Sequence, residues 1–358
     1  MKLNCELIVN SDVEHLRQIY AGFNMLHAGG LLRLKQTIPS EFLNNKNDPD
    51  RWTNYKFFNA KVVINDKINV VYDTHDWNWI DEEILGEADF YFKRSYDEQF
   101  VSQLKEKEKV FPLGLNYSVV SLERDKFQIE RAVFYSGKER VKATLKSLHL
   151  GKDATERLDN MESYPPFDLS PKVLFMARAW DTNRIENKQR REAVEQINEI
   201  RAECVRRLKR EFGTRFFGGL AHEDYAVKNF RDCLLPDKSL SNKRKYLKVL
   251  KDFPVCIATT GLNDSIGWKL GEYVAFARAI VTEPLRFQAT GDFKKESNYL
   301  EFTGSDEVVE SVARLFEDRR LRLSMMTNNY RYYRSFVKPD SLILNTLAIV
   351  QNLADSRL

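Results

Sequence analysis

The chain has 358 residues, of which 43% are hydrophobic and 30% are charged, and its formal net charge is +4. This length favours two domains, and the composition is ordinary for a folded globular protein. No apolar run reaches about 18 residues, so the sequence predicts no transmembrane helix. Four scattered cysteines without Cys-x-x-Cys spacing predict neither disulfides nor a structural zinc site.

The first half of the chain alternates strand-like and helix-like segments, which is typical of an α/β domain. The N-terminal segment is too polar for a signal peptide and is better explained as a first strand. We therefore expect a cytoplasmic protein, and a location at the inner membrane surface stays open. A helix is predicted at 12–27, and strands are predicted at 3–9, 31–38, 60–64, 69–72, 89–92 and 109–113.

Side chains able to carry chemistry follow several of these strands, where α/β sheets bind ligands. His75 and Asp76 stand beside two tryptophans, and either could take a proton from an attacking hydroxyl while Trp77 stacks on a sugar. A structural explanation is equally open, in which Asp76 caps a helix that the tryptophans anchor. Asp12 and His15 follow the first strand and are further places for the base, although Asp12 could be only an N-cap. Lys93, Arg94 and Asn116 end two further strands and are expected to line a cleft.

Periodicity fades from about residue 119 to 170, and Tyr-Pro-Pro-Phe at 164–167 has the character of an interdomain linker. A second α/β series follows, with a long charged helix at about 184–211 and further helices at 241–251, 306–316 and 319–333. Pro339 precedes a last amphipathic helix. We predict an N-terminal domain over 1–165, a second domain over 166–338, and a terminal helix over 339–358, whose packing back on the N-terminal domain stays open.

The most informative segment spans residues 254–285, where an apolar run, a turn-rich loop, a helix and a second apolar run form a β-α-β unit. The loop from Thr260 to Gly267 opens onto a helix N-terminus, which favours a bound anion such as phosphate. Lys269 and Glu272 are three residues apart and share a helix face. One could contact phosphate while the other accepts hydrogen bonds from ribose, or the two could form a solvated ion pair.

The sequence Ser-Ile-Gly-Trp-Lys-Leu-Gly-Glu-Tyr-Val-Ala-Phe-Ala-Arg-Ala-Ile-Val-Thr, at 265–282, resembles the donor-binding segment of GT-B glycosyltransferases. It is most similar to glycosyltransferase family 1/4-like and CgeB-like bacterial sequences. The resemblance implies two Rossmann-like doubly wound domains facing across a cleft, with Glu272 on the nucleotide ribose. By position, Arg178 matches the basic residue that contacts the donor diphosphate. Asp264 replaces the Glu of an acidic pair found in many retaining members, which leaves inversion or retention open.

These observations predict a metal-independent glycosyltransferase that moves a sugar from a nucleotide-sugar, most simply a UDP-sugar, to a hydroxyl of a glycan, polysaccharide or cell-surface component. No separate cofactor and no nucleic-acid partner are expected, and peripheral membrane association stays open. An epimerase of the same fold and a non-catalytic sugar-binding or assembly protein are the alternatives. The predicted donor-binding residues are Arg178, Asp264, Ser265, Ile266, Gly267, Lys269 and Glu272; the catalytic candidates are Asp76, His75 and Asp12; the acceptor side holds Trp77, Lys93, Arg94 and Asn116.

Overall fold

The structure is a computed structural model that describes residues 2–41, 54–121, 136–147 and 156–357. The chain forms two compact units. Unit 1 comprises Met1–Glu162, Arg286–Gly291 and Tyr333–Leu358, and unit 2 comprises Ser163–Leu285 and Asp292–Tyr332. Over the described residues, no helix is both long enough and apolar enough to cross a bilayer.

Unit 1 is built on a six-stranded sheet in the order β2-β1-β3-β4-β5-β6. Strand β3 is antiparallel to both of its neighbours, whereas the other adjacent strands are parallel. Its strands are β1 (Leu3–Ile8), β2 (Leu32–Thr37), β3 (Asn59–Ile64), β4 (Ile68–Asp73), β5 (Phe90–Lys93) and β6 (Val110–Pro112). Its helices are α1 (Arg17–Ala28), α2 (Glu82–Glu87), α3 (Glu98–Val101), α4 (Gly137–Ser147), α5 (Leu158–Met161) and the last helix, α12 (Pro339–Arg357), which a π-helical turn at Tyr333–Val337 precedes.

The hairpin between β3 and β4 was not predicted from the sequence as an antiparallel pair. Asn65 and Asp66 have φ values of 52° and 56°, the left-handed conformation that tight hairpin turns require. Because β3 runs against its neighbours, its start lies at the same edge of the sheet as the carboxyl ends of β1, β4, β5 and β6. The polar segments that follow those strands therefore converge on one edge.

The last helix packs against α1 within unit 1. Phe23 of α1 and Ile343 of α12 belong to the same hydrophobic core. The two backbones approach closely at Gly22, where a Cβ atom would lie 2.9 Å from the carbonyl carbon of Pro339 and closer still to its oxygen. Glycine at this position is thus required by the helix contact.

Unit 2 is built on a five-stranded sheet in which all adjacent strands are parallel, in the order β8-β7-β9-β10-β11. Its strands are β7 (Val173–Ala177), β8 (Phe216–Leu220), β9 (Val255–Ala258), β10 (Ala279–Thr282) and β11 (Tyr299–Glu301). Its helices are α6 (Lys188–Phe212), α7 (Asp224–Asn229), α8 (Lys243–Leu250), α9 (Trp268–Ala275), α10 (Ser305–Glu317) and α11 (Arg319–Tyr332). In sequence order the sheet is 2-1-3-4-5, a doubly wound arrangement whose direction of winding reverses between β7 and β9.

Every residue of β7, β9 and β10 is buried. Since successive residues of a strand face opposite sides, burial of all of them means that both faces of the sheet are covered. The predicted α/β class, with two sheets rich in parallel strands, is confirmed. The short strand β11 and the helix α7 were not predicted.

Candidate active site

The carboxyl ends of β7 and β9 meet at the winding reversal of unit 2, where doubly wound sheets bind ligands. Arg201 reaches this point from α6 and is only 3% exposed. Its guanidinium donates to the carbonyl of Arg178, just after β7, at 2.8 Å and to the carbonyl of Thr260, after β9, at 2.7 Å. The Glu283 carboxylate accepts from the Thr260 amide at 2.7 Å and from its hydroxyl at 2.8 Å. The two strand ends are therefore held together by buried polar contacts.

The loop after β9 leads into the N-terminus of α9. Asn263 and Asp264 adopt left-handed φ values of 60° and 58°, and the Gly261 amide donates to the Ser265 carbonyl at 2.7 Å. Ser265 and Ile266 are buried, and Gly267 is the N-cap of α9. The predicted order of turn-rich loop, N-cap and helix is what the structure contains.

Glu272 lies in the middle of α9 with 2% of its side chain exposed. Its Oε1 forms an ion pair with Lys243, the first residue of α8, and its buried Oε2 has no hydrogen-bond partner among the described residues. Lys269 donates instead to the carbonyl of Met176 in β7. The solvated ion pair between Lys269 and Glu272, left open from the sequence, is thus not the arrangement found. A buried carboxylate with an unused acceptor oxygen suits a ligand that carries hydroxyl donors.

Positive charge accumulates around this carboxylate. The pKa of Lys269 is lowered to about 8, mainly by burial; Glu272 opposes this shift, and the neighbouring cations Lys243, Arg178 and Arg201 add to it. Arg178 is 66% exposed at the side chain and pairs with Glu223 at 3.3 Å, a surface contact that contributes little to stability. Basic groups gathered at one strand edge and one helix N-terminus provide an environment for a multiply charged anion.

A second cluster lies at the corresponding edge of the sheet in unit 1 and is centred on a buried ion pair. Lys93 and Asp73 are both fully buried and lie 2.7 Å apart. The hydroxyl of Tyr91 donates to Asp73 at 2.6 Å, and that of Tyr55 also donates to this carboxylate. The Lys93 side chain has no exposed surface with which to contact the acceptor substrate predicted from the sequence. Its observed role is to neutralise Asp73.

The same carboxylate fixes the loop that carries the predicted base. Asp73 Oδ1 accepts from the amide of His75 at 2.8 Å, and the Ser95 hydroxyl donates to the carbonyl of Asp76 at 2.8 Å. Arg94 pairs with the Asp76 side chain. Burial raises the pKa of Asp76, but the charge of Arg94, the neighbouring His15 and His75, and the hydrogen bond from Arg94 together outweigh it and leave the pKa below its ordinary value. The Asp76 side chain is 45% exposed, which makes it an accessible carboxylate.

The tryptophans beside this loop do not anchor a helix that Asp76 caps. The next helix, α2, begins at Glu82, and its N-cap is Asp81, whose side chain accepts from two backbone amides. Trp77 and Trp79 are 43% and 48% exposed. Nearly half of each side chain is therefore exposed, while the Trp77 ring also contacts His75 and the Trp79 ring contacts Tyr55.

His15, which follows β1 as Asp12 does, completes the unit 1 cluster. Its Nε2 lies 3.9 Å from Asp76 Oδ1. Burial, followed by the charge of Arg94, lowers its pKa to about 4, so the imidazole is neutral at pH 7. Asn116 Nδ2 donates to the His15 carbonyl at 3.0 Å. Asp12 is half-buried after β1, and the N-cap of the following 3-10 helix is Val13, so Asp12 is not that cap.

The sequence did not lead us to predict roles for Arg201, Lys243 and Glu283. Two of them belong to basic runs that are typical of solvated helix faces, and only the three-dimensional contacts separate them from their neighbours. Glu283 could have been found, because it directly follows β10 at the edge where ligands bind. Within the described ranges, no group of three or more His, Cys, Asp or Glu side chains could hold a metal ion.

No protein-family model matches the sequence, and no curated protein sequence matches it. Solved structures do match. The C-terminal domain of a glycosyl transferase group 1 family protein (LpcC) from Francisella tularensis is 12% identical, with 46% of this chain and 86% of that chain covered and a TM-score of 0.29. A TarM mutant from S. aureus, in a complex that contains UDP, is 13% identical, with 74% and 52% covered and a TM-score of 0.37. The UDP-GlcNAc 2-epimerase of Neisseria meningitidis is 14% identical, with 73% and 62% covered and a TM-score of 0.36.

This chain therefore spans about half the length of the TarM chain. The matches include glycosyltransferases, the class that the sequence resembles, and one epimerase. With identities of 12% to 14% and TM-scores below 0.4, these similarities assign no activity to the chain. The α/β fold rests on the two sheets themselves.

Proposed function

We propose that the protein is a glycosyltransferase that binds a nucleotide-sugar in unit 2 and an acceptor hydroxyl in unit 1. The observation that carries this proposal is Glu272, a buried carboxylate with an unused oxygen, surrounded by cations at the winding reversal of a doubly wound sheet. A nucleoside diphosphate matches both features, because ribose supplies hydroxyl donors and the diphosphate supplies negative charge.

In this proposal Lys269, Arg178 and the N-terminus of α9 with its 265–267 segment bind the diphosphate. Glycosyl transfer leaves negative charge on the departing diphosphate, and fixed cations with helix-end amides stabilise that charge. Asp264 lies in the left-handed turn of the same loop. Glu272 accepts hydrogen bonds from the ribose. We expect a UDP-sugar as donor and a glycan hydroxyl as acceptor, as in polysaccharide biosynthesis.

Unit 1 supplies the groups that accept the acceptor's proton. His15 is neutral at pH 7, and the Asp76 carboxylate beside it stabilises an imidazolium once a proton has been taken. His75 lies in the same loop, and the exposed Trp77 offers an apolar face to a sugar ring. The buried Asp73–Lys93 pair holds the loop in place.

The donor site is tested by titrating UDP, GDP, dTDP, CMP and their sugars by calorimetry into the wild type and Glu272→Gln. Loss of a charge-assisted hydrogen bond to ribose should weaken the affinity of the preferred nucleotide by about tenfold to a hundredfold. Glu310→Gln, at an exposed position of α10, is the matched control and should bind as the wild type does. Unchanged affinity in Glu272→Gln would remove Glu272 from the site.

Turnover separates the proposal from its alternatives. The preferred nucleotide-sugar is incubated with and without a panel of glycan acceptors, and the sugar products are identified by NMR. Sugar transferred only when an acceptor is present supports a transferase. Isomerised sugar without an acceptor would identify an epimerase, and nucleotide binding without any turnover would identify a non-catalytic binding protein.

A further inference from the structure

Lys243 is bound to the same carboxylate that the proposed function assigns to ribose. It is the first residue of α8, 29 positions before Glu272 in the chain, and its ammonium pairs with Glu272 Oε1. The Lys243 side chain is 37% exposed, whereas that of Glu272 is 2% exposed. The lysine therefore reaches a buried acceptor from a partly solvated position. Because Oε2 has no partner among the described residues, a first ribose hydroxyl can bind there, and a second hydroxyl that binds Oε1 competes with this ammonium.

A displaced Lys243 ammonium would stay close to other positive charge. Its Nζ lies 5.5 Å from the centre of the Tyr246 ring, and the Nζ of Lys269 lies 5.4 Å from the same centre. Lys243 is also one of the cations whose charge lowers the pKa of Lys269. Without Glu272 as its partner, Lys243 would add uncompensated charge beside Lys269, which is unfavourable unless an anion joins them.

The ion pair with Glu272 and the positive charge near Lys269 give Lys243 opposite effects on the binding of a nucleoside and of its diphosphate. A nucleoside without phosphate that donates both ribose hydroxyls to Glu272 competes with Lys243 for Oε1 and offers the ammonium nothing in return. A nucleoside diphosphate displaces the same ammonium and supplies phosphate oxygens to bind it. The net affinity for the diphosphate then includes a new charge-assisted contact, whereas the affinity for the nucleoside includes only the loss of an ion pair.

We propose that Lys243 is a specificity-determining residue, an exchangeable partner of Glu272 that makes the unit 2 site select nucleoside diphosphates over the corresponding nucleosides. This inference rests on the proposed function, because it takes ribose as the group that binds Glu272. It adds that ligand binding exchanges one ion pair of Lys243 for another.

The test compares the wild type with Lys243→Met, which keeps the length of the side chain and removes its charge. Lys243→Arg keeps the charge, and Lys248→Met removes one charge from an exposed position of the same helix. Affinities for UDP and GDP are measured by calorimetry, and those for uridine and guanosine by ligand-observed NMR. Thermal unfolding of each variant checks that the fold is retained.

We expect Lys243→Met to weaken binding of the preferred diphosphate by about tenfold and to strengthen binding of its nucleoside several-fold. Lys243→Arg should retain most of the wild-type selectivity, and Lys248→Met should change neither affinity by more than about twofold. Equal losses of affinity for both ligands would show that Lys243 only orients Glu272, and unchanged affinities would show that it stays out of the site. Either result overturns the inference about Lys243 but leaves the proposed function standing. Absence of nucleotide binding by the wild type would overturn the proposed function as well.

Discussion

Replacing Arg201 by Met tests whether the winding reversal of unit 2 is held together as its contacts indicate. The guanidinium joins the carbonyl of Arg178 at 2.8 Å to the carbonyl of Thr260 at 2.7 Å, and the side chain is almost fully buried. Methionine retains the apolar stem but donates no hydrogen bond. Two carbonyl groups at the ends of neighbouring strands would then lose a charged partner.

The expected magnitude follows from these two contacts. A hydrogen bond to a charged group contributes about 1.5–3 kcal/mol, so the gross loss is about 3–6 kcal/mol. Relief of the buried guanidinium's desolvation offsets part of it, because a buried charge is costly to keep out of water. We expect a net decrease of about 2–4 kcal/mol in the free energy of unfolding.

Arg206 is the matched control, since it lies on the same helix and forms an ion pair with Asp232 at 2.6 Å. The Arg206 side chain is 39% exposed and that of Asp232 is 60% exposed, so solvent screens the pair and Arg206→Met should cost about 0–1 kcal/mol. The assay is urea unfolding of the three proteins followed by circular dichroism, with the midpoint and the m value compared. Equal losses in both variants, or a larger loss in Arg206→Met, would refute the assignment of Arg201 as the link between β7 and β9.

Two further predictions concern the last helix and the pH dependence of binding. Gly22→Ala should lower the midpoint of thermal unfolding. Alanine normally stabilises a helix interior, but here overlap with the Pro339 backbone should outweigh that gain by about 1–3 kcal/mol. A variant more stable than the wild type would contradict the close contact of α1 and α12. Binding of the preferred nucleotide should weaken as the pH rises through about 8, because Lys269 loses its proton there and an anion favours the charged form. Calorimetry between pH 6.5 and 9.5 measures this loss, and Lys269→Arg should abolish it; an identical pH profile in that variant would exclude Lys269 as its origin.

The parts of this structure that depend on short stretches of sequence could be predicted. Alternating apolar runs and helical periodicity indicated most strands and helices of both sheets, since burial on both faces of a parallel strand leaves a continuous apolar run. The loop that leads into α9 was recognisable for the same reason, because its turn residues and the helix after it are adjacent in the chain. The placement of Lys269 and Glu272 on one helix face followed from helical geometry alone.

Contacts that join distant parts of the chain could not be predicted in this way. Glu272 and Lys269 were expected to work as a pair, yet Glu272 is bound by Lys243 and Lys269 is bound to Met176, 93 positions earlier. Lys93 follows a strand end, where the pattern favours a ligand contact, but the partner that buries it is Asp73 on the adjacent strand. A pattern in one sequence predicts which face of a helix or strand is buried, but it does not predict which other element covers that face.

The two candidate sites differ in charge in a way that fits different tasks. At the unit 2 edge, Lys269, Arg178 and Lys243 lie around one buried carboxylate, so an anion bound beside Lys269 meets more positive than negative charge. At the unit 1 edge Lys93 pairs with Asp73 and Arg94 with Asp76, and His15, 3.9 Å from Asp76, is neutral. If an acceptor hydroxyl binds there as proposed, it meets a proton acceptor without an excess of positive charge that would hold a second anion. Stabilising a departing diphosphate needs cations and activating a hydroxyl needs a base, and the chain keeps these groups in separate units, which favours group transfer between two ligands over chemistry on a single one.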